Sequence, residues 1–481
     1  MAYRGLGEFI AALERAGELK RIRTPLSWDL EIAEVTDRVS KRGGPALLFE
    51  HVVGYDVPVL TNAFGSPRRM ALALGVDDVE EIAQRLAGVI RKGPPDGLLD
   101  RMRTLAEVFR LGAYMPKVVR TGRCKEVILR DDEVDLLSMP VLKCWPGDGG
   151  RFITLPMVFA KSPRTGVQNA GMYRLHVYDS RTTGMHWHVH KTGAEIFRYF
   201  QQRGEPMEVA VALGGDPAVT YAATAPLPDG FDEMIFAGFL RQRAVEMVRC
   251  ETVDLLVPAD AEYVLEGTVD PNESRLEGPF GDHTGYYSQP ADYPVFRVRC
   301  ITRAERPIYP ATVVGRPPME DCYLAKATER IFLPLIQTVL PEVVDINLPI
   351  EGVFHNLAFV SIRKSYPGQA RKVMHALWGM GQMMFTKIIV VFDEEVNVHD
   401  LSEVLWRLGS NVDPRRDTVF VDGPVDILDH AAPAVGYGSK MGIDATRKLP
   451  EEGYTRPWPE EIAMSPEVKR KIDELWGRLG L

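Results

Sequence analysis

The chain has 481 residues, too long for one ordinary core, so two or three domains are expected. Hydrophobic residues make up 45% and charged residues 26%, the profile of a folded globular protein, and no stretch nears the ~20 apolar residues a membrane span needs. The formal net charge of -9 excludes wholesale nucleic-acid binding, and the N-terminus lacks the apolar core of a signal peptide, which points to the cytoplasm.

Leu6, Phe9, Ile10 and Leu13 fall at helical spacing, so the chain opens with an amphipathic helix. Leu30, Ile32, Ala33, Val35 and Val39 predict a second helix from near Asp29. The apolar runs 46–49 and 57–60 read as strands, and a helix over 79–90 has Asp77 or Asp78 as its cap. This alternation predicts an N-terminal α/β domain over 1–115. From 116 to 315 short strand-like runs dominate, such as 126–129, 207–212 and 295–300, with helices at 194–202 and 236–243. The expectation there is a mostly antiparallel sheet or barrel. A long helical pattern over 320–340 contains Pro334, which predicts a kink or a break. It serves as a linker, 316–341, to a last α/β domain over 342–481. In that domain 359–362, 388–392 and 418–421 read as strands, and 367–379 and 400–408 as helices. A final helix starts with Ser465 as N-cap and Pro466 in its first turn, and its stripe Val468, Ile472, Leu475 and Trp476 is expected to pack in the core. Gly436 to Gly442 is glycine-rich without dinucleotide-binding spacing, and reads as a loop or subunit contact. Cys124, Cys144, Cys250, Cys300 and Cys322 are scattered and odd in number, which argues against a disulfide framework or a cysteine zinc site and for buried, inert thiols.

Three stretches concentrate the chemistry. The first, 167–191, carries Asn169, Arg174, His186, His188 and His190. In a strand the three imidazoles share a face and suit a divalent metal; a polar face with one useful histidine is the alternative. The second, 226–233, ends in Glu233. Asn169, His190 and Glu233 make a mixed O/N set that favours Mg²⁺ or Mn²⁺. The third, 276–285, places Glu277 and Asp282 on either side of Gly278-Pro279-Phe280-Gly281, a composition that demands a turn. Two carboxylates brought to one point raise the pKa of one, with an adjacent arginine keeping the other ionised; a solvated acidic hairpin is the plain alternative. Lys387, before the strand 388–392, reaches a phosphate or is simply solvated. The chain has no Gly-x-Ser-x-Gly elbow and no Gly-x-x-x-x-Gly-Lys-Ser/Thr loop.

Taken in order, these pieces resemble the UbiD family of reversible decarboxylases, which use prenylated FMN. The resemblance rests on 169–174, Trp187 with His190, Pro226-Leu-Pro-Asp followed by Glu233, and the highly specific Glu277-Gly-Pro-Phe-Gly-Asp-His-Thr-Gly-Tyr-Tyr287. Phe385-Thr-Lys387 and 438–446 extend it over nearly the whole chain. Within the family it is most similar to 4-hydroxy-3-polyprenylbenzoate decarboxylases of ubiquinone synthesis.

The resemblance implies a mixed α/β fold with a central split β-barrel that binds the flavin, and a C-terminal domain that mediates assembly into a homodimer or homohexamer. It implies that Asn169, His190 and Glu233 hold Mn²⁺ or Mg²⁺, which bridges to the cofactor phosphate, and that Lys387 binds that phosphate. Met172, Tyr173, Arg174, Val189, His190 and the loop Ala223, Thr224, Ala225, Pro226 line the flavin, and that loop often also carries K⁺ or Na⁺. His186 and His188 sit where other residues are usual and are left out of the metal site. Arg174, Glu277 and Asp282 match the catalytic network. The implied reaction removes CO₂ from an aromatic or α,β-unsaturated acid, or adds it at high CO₂, with a flavin prenyltransferase supplying the cofactor. Loss of CO₂ from an sp² carbon leaves a charge that no side chain delocalises, so an electron sink is needed. Arg174 orients the carboxylate, Asp282 protonates the carbon and Glu277 holds Arg174. Two other readings stay open: a non-catalytic flavin-binding assembly subunit of a carboxylase complex, and a metal-dependent hydrolase built on the histidines.

Overall fold

The computed structural model describes residues 2–90, 112, 114–188, 191–227 and 230–480, and its fold is mixed α/β. The N-terminal sheet has the order Leu19–Ile22, Ala46–Phe49, Val59–Thr61, Tyr309–Pro310. Its last strand arrives after the whole central sheet, a return that local sequence patterning does not encode. Helices Leu6–Arg15 and Glu31–Ser40 cover it, with Phe9, Leu13 and Ile32 fully buried, as their periodicity requires. Helix Glu80–Ile90 is capped by Asp78, whose Oδ1 accepts from Glu80 N at 2.9 Å. A further helix, Pro67–Leu74, was not expected. It is short and its stripe is broken by Arg69, which is buried because it pairs with Glu18 at 2.9 Å.

The central sheet has nine strands, pairs throughout in antiparallel fashion, and curls into a half-barrel. Its spine is the pair Tyr263–Glu277 and Ala291–Arg303. Register shifts after Glu266 and Val269 bend that pair. At the first shift a Cβ on Gly267 would stand 1.9 Å from the Arg297 carbonyl oxygen, so only glycine lets the strands close. Hairpin Met157–Lys161/Gln168–Gly171 forms one edge, and helices Thr192–Arg203 and Glu233–Arg241 are inserted between strands.

Helix Glu320–Val339 runs on through Pro334 without interruption. The proline removes one backbone hydrogen bond, but buried Ile331 and Phe332 and the ion pairs of Arg330 with Glu80 and Asp345 hold the helix against its neighbours. Glu320 Oε1 accepts from Phe64 N at 2.7 Å toward the N-terminal part, and Arg330 reaches Asp345 at 2.7 Å toward the C-terminal part. The C-terminal sheet has the order Val343–Asn347, Leu357–Ile362, Ile388–Asp393, Tyr437–Asp444, Thr418–Pro424, with helices Gln369–Trp378 and Leu401–Asn411.

Two expectations fail here. The stretch after Gly436 is not a loop: Tyr437–Asp444 is a strand inside the sheet. Its glycines give room for close packing, since a Cβ on Gly442 would lie 2.5 Å from Met374 Sδ. The final helix, Pro466–Trp476, starts as expected, with Ser465 Oγ accepting from Val468 N at 3.4 Å. Its stripe is not in the core, however; Val468, Ile472 and Trp476 are 40%, 37% and 52% exposed. The exposed segment 455–464 carries the helix away from the apolar clusters. All five cysteines are free thiols, four of them buried. Among the described residues no helix is long and apolar enough to cross a membrane.

Candidate active site

Strand Tyr263–Glu277 delivers Glu277 at its end, fully buried. Gly278 then takes φ 91°, a backbone region that favours glycine, and the chain turns back into the small hairpin Phe280–Gly281/Tyr287–Ser288. The turn is clamped from a neighbouring loop. Asp148 Oδ1 accepts from Gly281 N at 2.7 Å, and Gly149 N donates to Pro279 O at 2.8 Å. Asp282 therefore faces the same point as Glu277.

Arg174 enters between them from the link joining Gln168–Gly171 to Leu175–Val177. Its Nε donates to Glu277 Oε1 at 2.8 Å, and its Nη2 to Glu277 Oε2 and Ser288 Oγ, both at 3.1 Å. Nη1 donates to Asp282 Oδ2. A guanidinium has five N–H groups. Among the described residues these bonds use four, which leaves one on Nη1 for an incoming anion. The guanidinium also lies 4.6 Å over the Phe280 ring.

The expectation that crowding raises the pKa of one carboxyl is overturned. Burial pushes Glu277 upward, but the hydrogen bonds from His186 and Arg174 outweigh it and hold the carboxyl at about 2. Asp282 is likewise pushed up by burial, yet Arg174 and then His283 hold it well below the usual carboxylate range. The cation sits between the two anions, so each carboxylate meets a positive charge before it meets the other. His186 is buried with Nδ1 3.1 Å from Glu277 Oε2, and its ring stacks on Tyr293 at 4.1 Å. Burial lowers its pKa, so it stands as a neutral partner of the cluster. Of the expected three-histidine face, the described residues include His186 and His188. His186 turns to Glu277, and His188 lies edge-on to it with ring centroids 5.1 Å apart. Val189 and His190 lie outside the described residues.

A separate cavity of about 220 Å³ is lined by Phe159, Gln168, Asn169, Glu233, Met234 and Leu256. Glu233 is the first residue of helix Glu233–Arg241, with Asp232 as N-cap. Its Oε1 accepts from Asn169 Nδ2 at 2.5 Å and its Oε2 from Ala170 N at 2.9 Å. Among the described residues no cation pairs with it. Burial raises its pKa to about 7. A buried carboxylate served only by neutral donors, with an amide beside it, suits a hard divalent cation, so the residues fit such an ion.

The remaining expected residues surround these two points. Tyr173 is buried and its hydroxyl accepts from Gly193 N at 3.3 Å, while Met172 packs half-buried on the core. Ala223 to Pro226 follow helix Pro217–Ala222, with Thr224 Oγ1 donating to Tyr221 O at 2.7 Å. Lys387 is on the C-terminal domain, where Asp429 pairs with it at 2.9 Å and its side chain stays 26% exposed. Sequence reasoning missed Ser288, Tyr293 and the contact of His186 with Glu277. It also passed over Lys191, a buried ammonium whose pKa burial lowers to about 8. Lys191 is the N-cap of Thr192–Arg203, and a cation at a helix N-terminus opposes the helix dipole.

Three consecutive parts of the chain match domain families of 3-octaprenyl-4-hydroxybenzoate carboxy-lyase: the N-terminal domain over 10–86, the Rift-related domain over 117–317 and the C-terminal domain over 322–445. The UbiD-class enzyme HmfF from Pelotomaculum thermopropionicum, solved with FMN, is 31% identical, with 97% of this chain and 98% of that one covered and a TM-score of 0.81. The chain belongs to the UbiD family. As a UbiD-family protein it is a carboxy-lyase, and its half-barrel is the Rift-related domain. The closed form of vanillic acid decarboxylase from Sedimentibacter hydroxybenzoicus is 28% identical over 99% of both chains, with a TM-score of 0.86. An uncharacterized protein of Archaeoglobus fulgidus is 54% identical over 100% of this chain and 99% of its own.

Proposed function

We propose that this UbiD-family enzyme decarboxylates an aromatic or heteroaromatic acid with prenylated FMN, and that Arg174, Glu277 and Asp282 are its catalytic residues. The observation that carries this reading is Arg174, its side chain only 8% exposed, fixed on two carboxylates with one Nη1 donor unspent among the described residues. Similarity to vanillic acid decarboxylase supports the aromatic substrate class. A 4-hydroxy-3-polyprenylbenzoate-like acid is one member of that class.

Prenylated FMN, when bound, supplies the electron sink that takes up the pair left behind as CO₂ departs. Mn²⁺ or Mg²⁺ held by Asn169, His190 and Glu233 would join the protein to the cofactor phosphate. Lys191 and Lys387 add positive charge for that phosphate, Met172, Tyr173 and Val189 line the flavin, and Ala223 to Pro226 offer carbonyls to K⁺ or Na⁺. Arg174 orients the substrate carboxylate through its free Nη1–H. Glu277 keeps the guanidinium in place and His186 keeps Glu277 in place. Asp282 is ionised in the resting cluster, so it must gain a proton before it can act as an acid. A substrate carboxylate on Nη1 puts a second anion beside it and raises its proton affinity. Asp282 Oδ2 then delivers that proton to the carbon that lost CO₂. Homo-oligomer assembly falls to the C-terminal domain, where Phe420 on the edge strand Thr418–Pro424 is exposed. Free cysteines fit a reducing cytoplasm.

The test is CO₂ release from a panel of hydroxybenzoic, naphthoic and furoic acids by protein co-expressed with a flavin prenyltransferase. Turnover of at least one acid, with solvent deuterium entering at the vacated carbon, is the expected result. Turnover by flavin-free protein would overturn it.

A further inference from the structure

Three side chains outside the catalytic network meet where the central and C-terminal domains touch. His283 follows Asp282 in the small hairpin, His355 comes from the loop after Ile350–Gly352, and Asp426 follows strand Thr418–Pro424. One ligand atom from each lies within 4.8 Å of the others. His283 Nε2 and His355 Nε2 are 3.0 Å apart. Two ring nitrogens at that distance cannot both carry a proton, and two bare lone pairs repel, so a shared proton or a cation belongs between them.

The other nitrogen of His283 decides which face is free. Its Nδ1 is 2.8 Å from Asp282 Oδ1, so Nδ1 carries a hydrogen, and because burial is outweighed by Asp282, which raises the pKa of His283 to about 9, Nε2 of the metal-free ring holds the proton that a cation would displace. A carboxylate behind an imidazole is the arrangement found behind metal-bound histidines. His355 Nδ1 is buried and has no hydrogen-bond partner, so the ring is not held by that side. The loop carrying it is strained: Val353 and Phe354 take φ 55° and 45°, values that branched and bulky residues rarely adopt.

We propose that His283, His355 and Asp426 form a second divalent-metal site, for a borderline ion such as Zn²⁺, that ties the C-terminal domain to the central domain. Two imidazoles and one carboxylate give an N₂O set suited to zinc, with a fourth position for water. The ion fixes the direction in which His283 Nδ1–H points at Asp282, which makes His283 a positioning residue. The site shares no ligand with Asn169 and Glu233, so it stands or falls independently of the flavin chemistry.

Equilibrium dialysis of the full-length chain against Zn²⁺, followed by elemental analysis, tests it. Wild type should hold one more Zn²⁺ per chain than His355→Ala or Asp426→Asn, and Glu233→Gln should keep that ion. Zn²⁺ should also raise the melting temperature of wild type but not of the milder His355→Asn, whose fold is checked by circular dichroism. Equal Zn²⁺ content in wild type and the His355 variants, or no Zn²⁺-dependent rise in wild type, overturns the site and leaves a shared proton between the histidines.

Discussion

Replacing Glu277 by glutamine swaps one carboxylate oxygen for an amide nitrogen and leaves the side-chain volume almost unchanged. In the native cluster both oxygens accept from Arg174, at 2.8 and 3.1 Å, and Oε2 also faces His186 at 3.1 Å. Glutamine has one acceptor oxygen, so its NH₂ sets donor against donor at one of the two Arg174 nitrogens. The guanidinium loses a charge-assisted hydrogen bond worth about 1.5–3 kcal/mol. Asp282 is left as its only carboxylate partner, and a buried charge stripped of one partner is unfavourable. Arg174 then leans toward Asp282, and its free Nη1 donor no longer points where the substrate carboxylate binds. Losing one preorganised donor costs about 2.7–4 kcal/mol of barrier, or roughly 10²–10³ in kcat. The assay is CO₂ release by variant and wild type at matched flavin content, judged by absorbance. The expected outcome is flavin retained and kcat down by that factor. Wild-type turnover at matched flavin would remove Glu277 from the network and refute the reasoning.

Further outcomes follow from the same geometry. Glu277 titrates at about 2 when folded against 4.5 for the free group, so its contribution is present above pH 4.5 and disappears as pH falls through 2. The stability gap between wild type and Glu277→Gln, read from urea melts, should be widest near neutrality, at most about 3 kcal/mol, and should close between those pH values; a pH-independent gap contradicts the pairing. Glu233→Gln removes the carboxylate that accepts from Asn169 and Ala170 at that cavity, so metal and flavin should be retained together at least about tenfold less well, measured by elemental analysis and absorbance. Normal retention of both would dismiss the cation site. Gly281→Ala puts a Cβ 2.2 Å from Trp145 Cδ1, and the indole is tied by its Nε1 to Val314 O at 2.9 Å. It should destabilise by about 1–3 kcal/mol in thermal melts and displace Asp282 next door; an unchanged melting temperature would show that the indole yields.

The Arg174–Glu277–Asp282 cluster was legible because residue type and spacing were both unusual. Glycine and proline between Glu277 and Asp282 force a turn, and Arg174 is the nearby cation able to meet two carboxylates. The protonation state was not legible, because it depends on where the guanidinium sits, and that is set by strands far apart in sequence. Ser288, Tyr293 and Asp148 escaped for the same reason: each acts across the fold on a partner more than 100 residues away. The strand Tyr309–Pro310 was hidden because two residues carry no periodicity. The final helix shows the opposite error. Its cap and stripe were read correctly, but a stripe says only that one face is apolar, not that this chain buries it.

The account's central claim is that the buried Arg174–Glu277–Asp282 cluster works with prenylated FMN. The most direct test is mass spectrometry of small molecules released from the denatured full-length chain after co-expression with a flavin prenyltransferase and Mn²⁺. Prenylated FMN, near one per chain, is the expected result. Folded, metal-supplied protein that releases no flavin would contradict the claim.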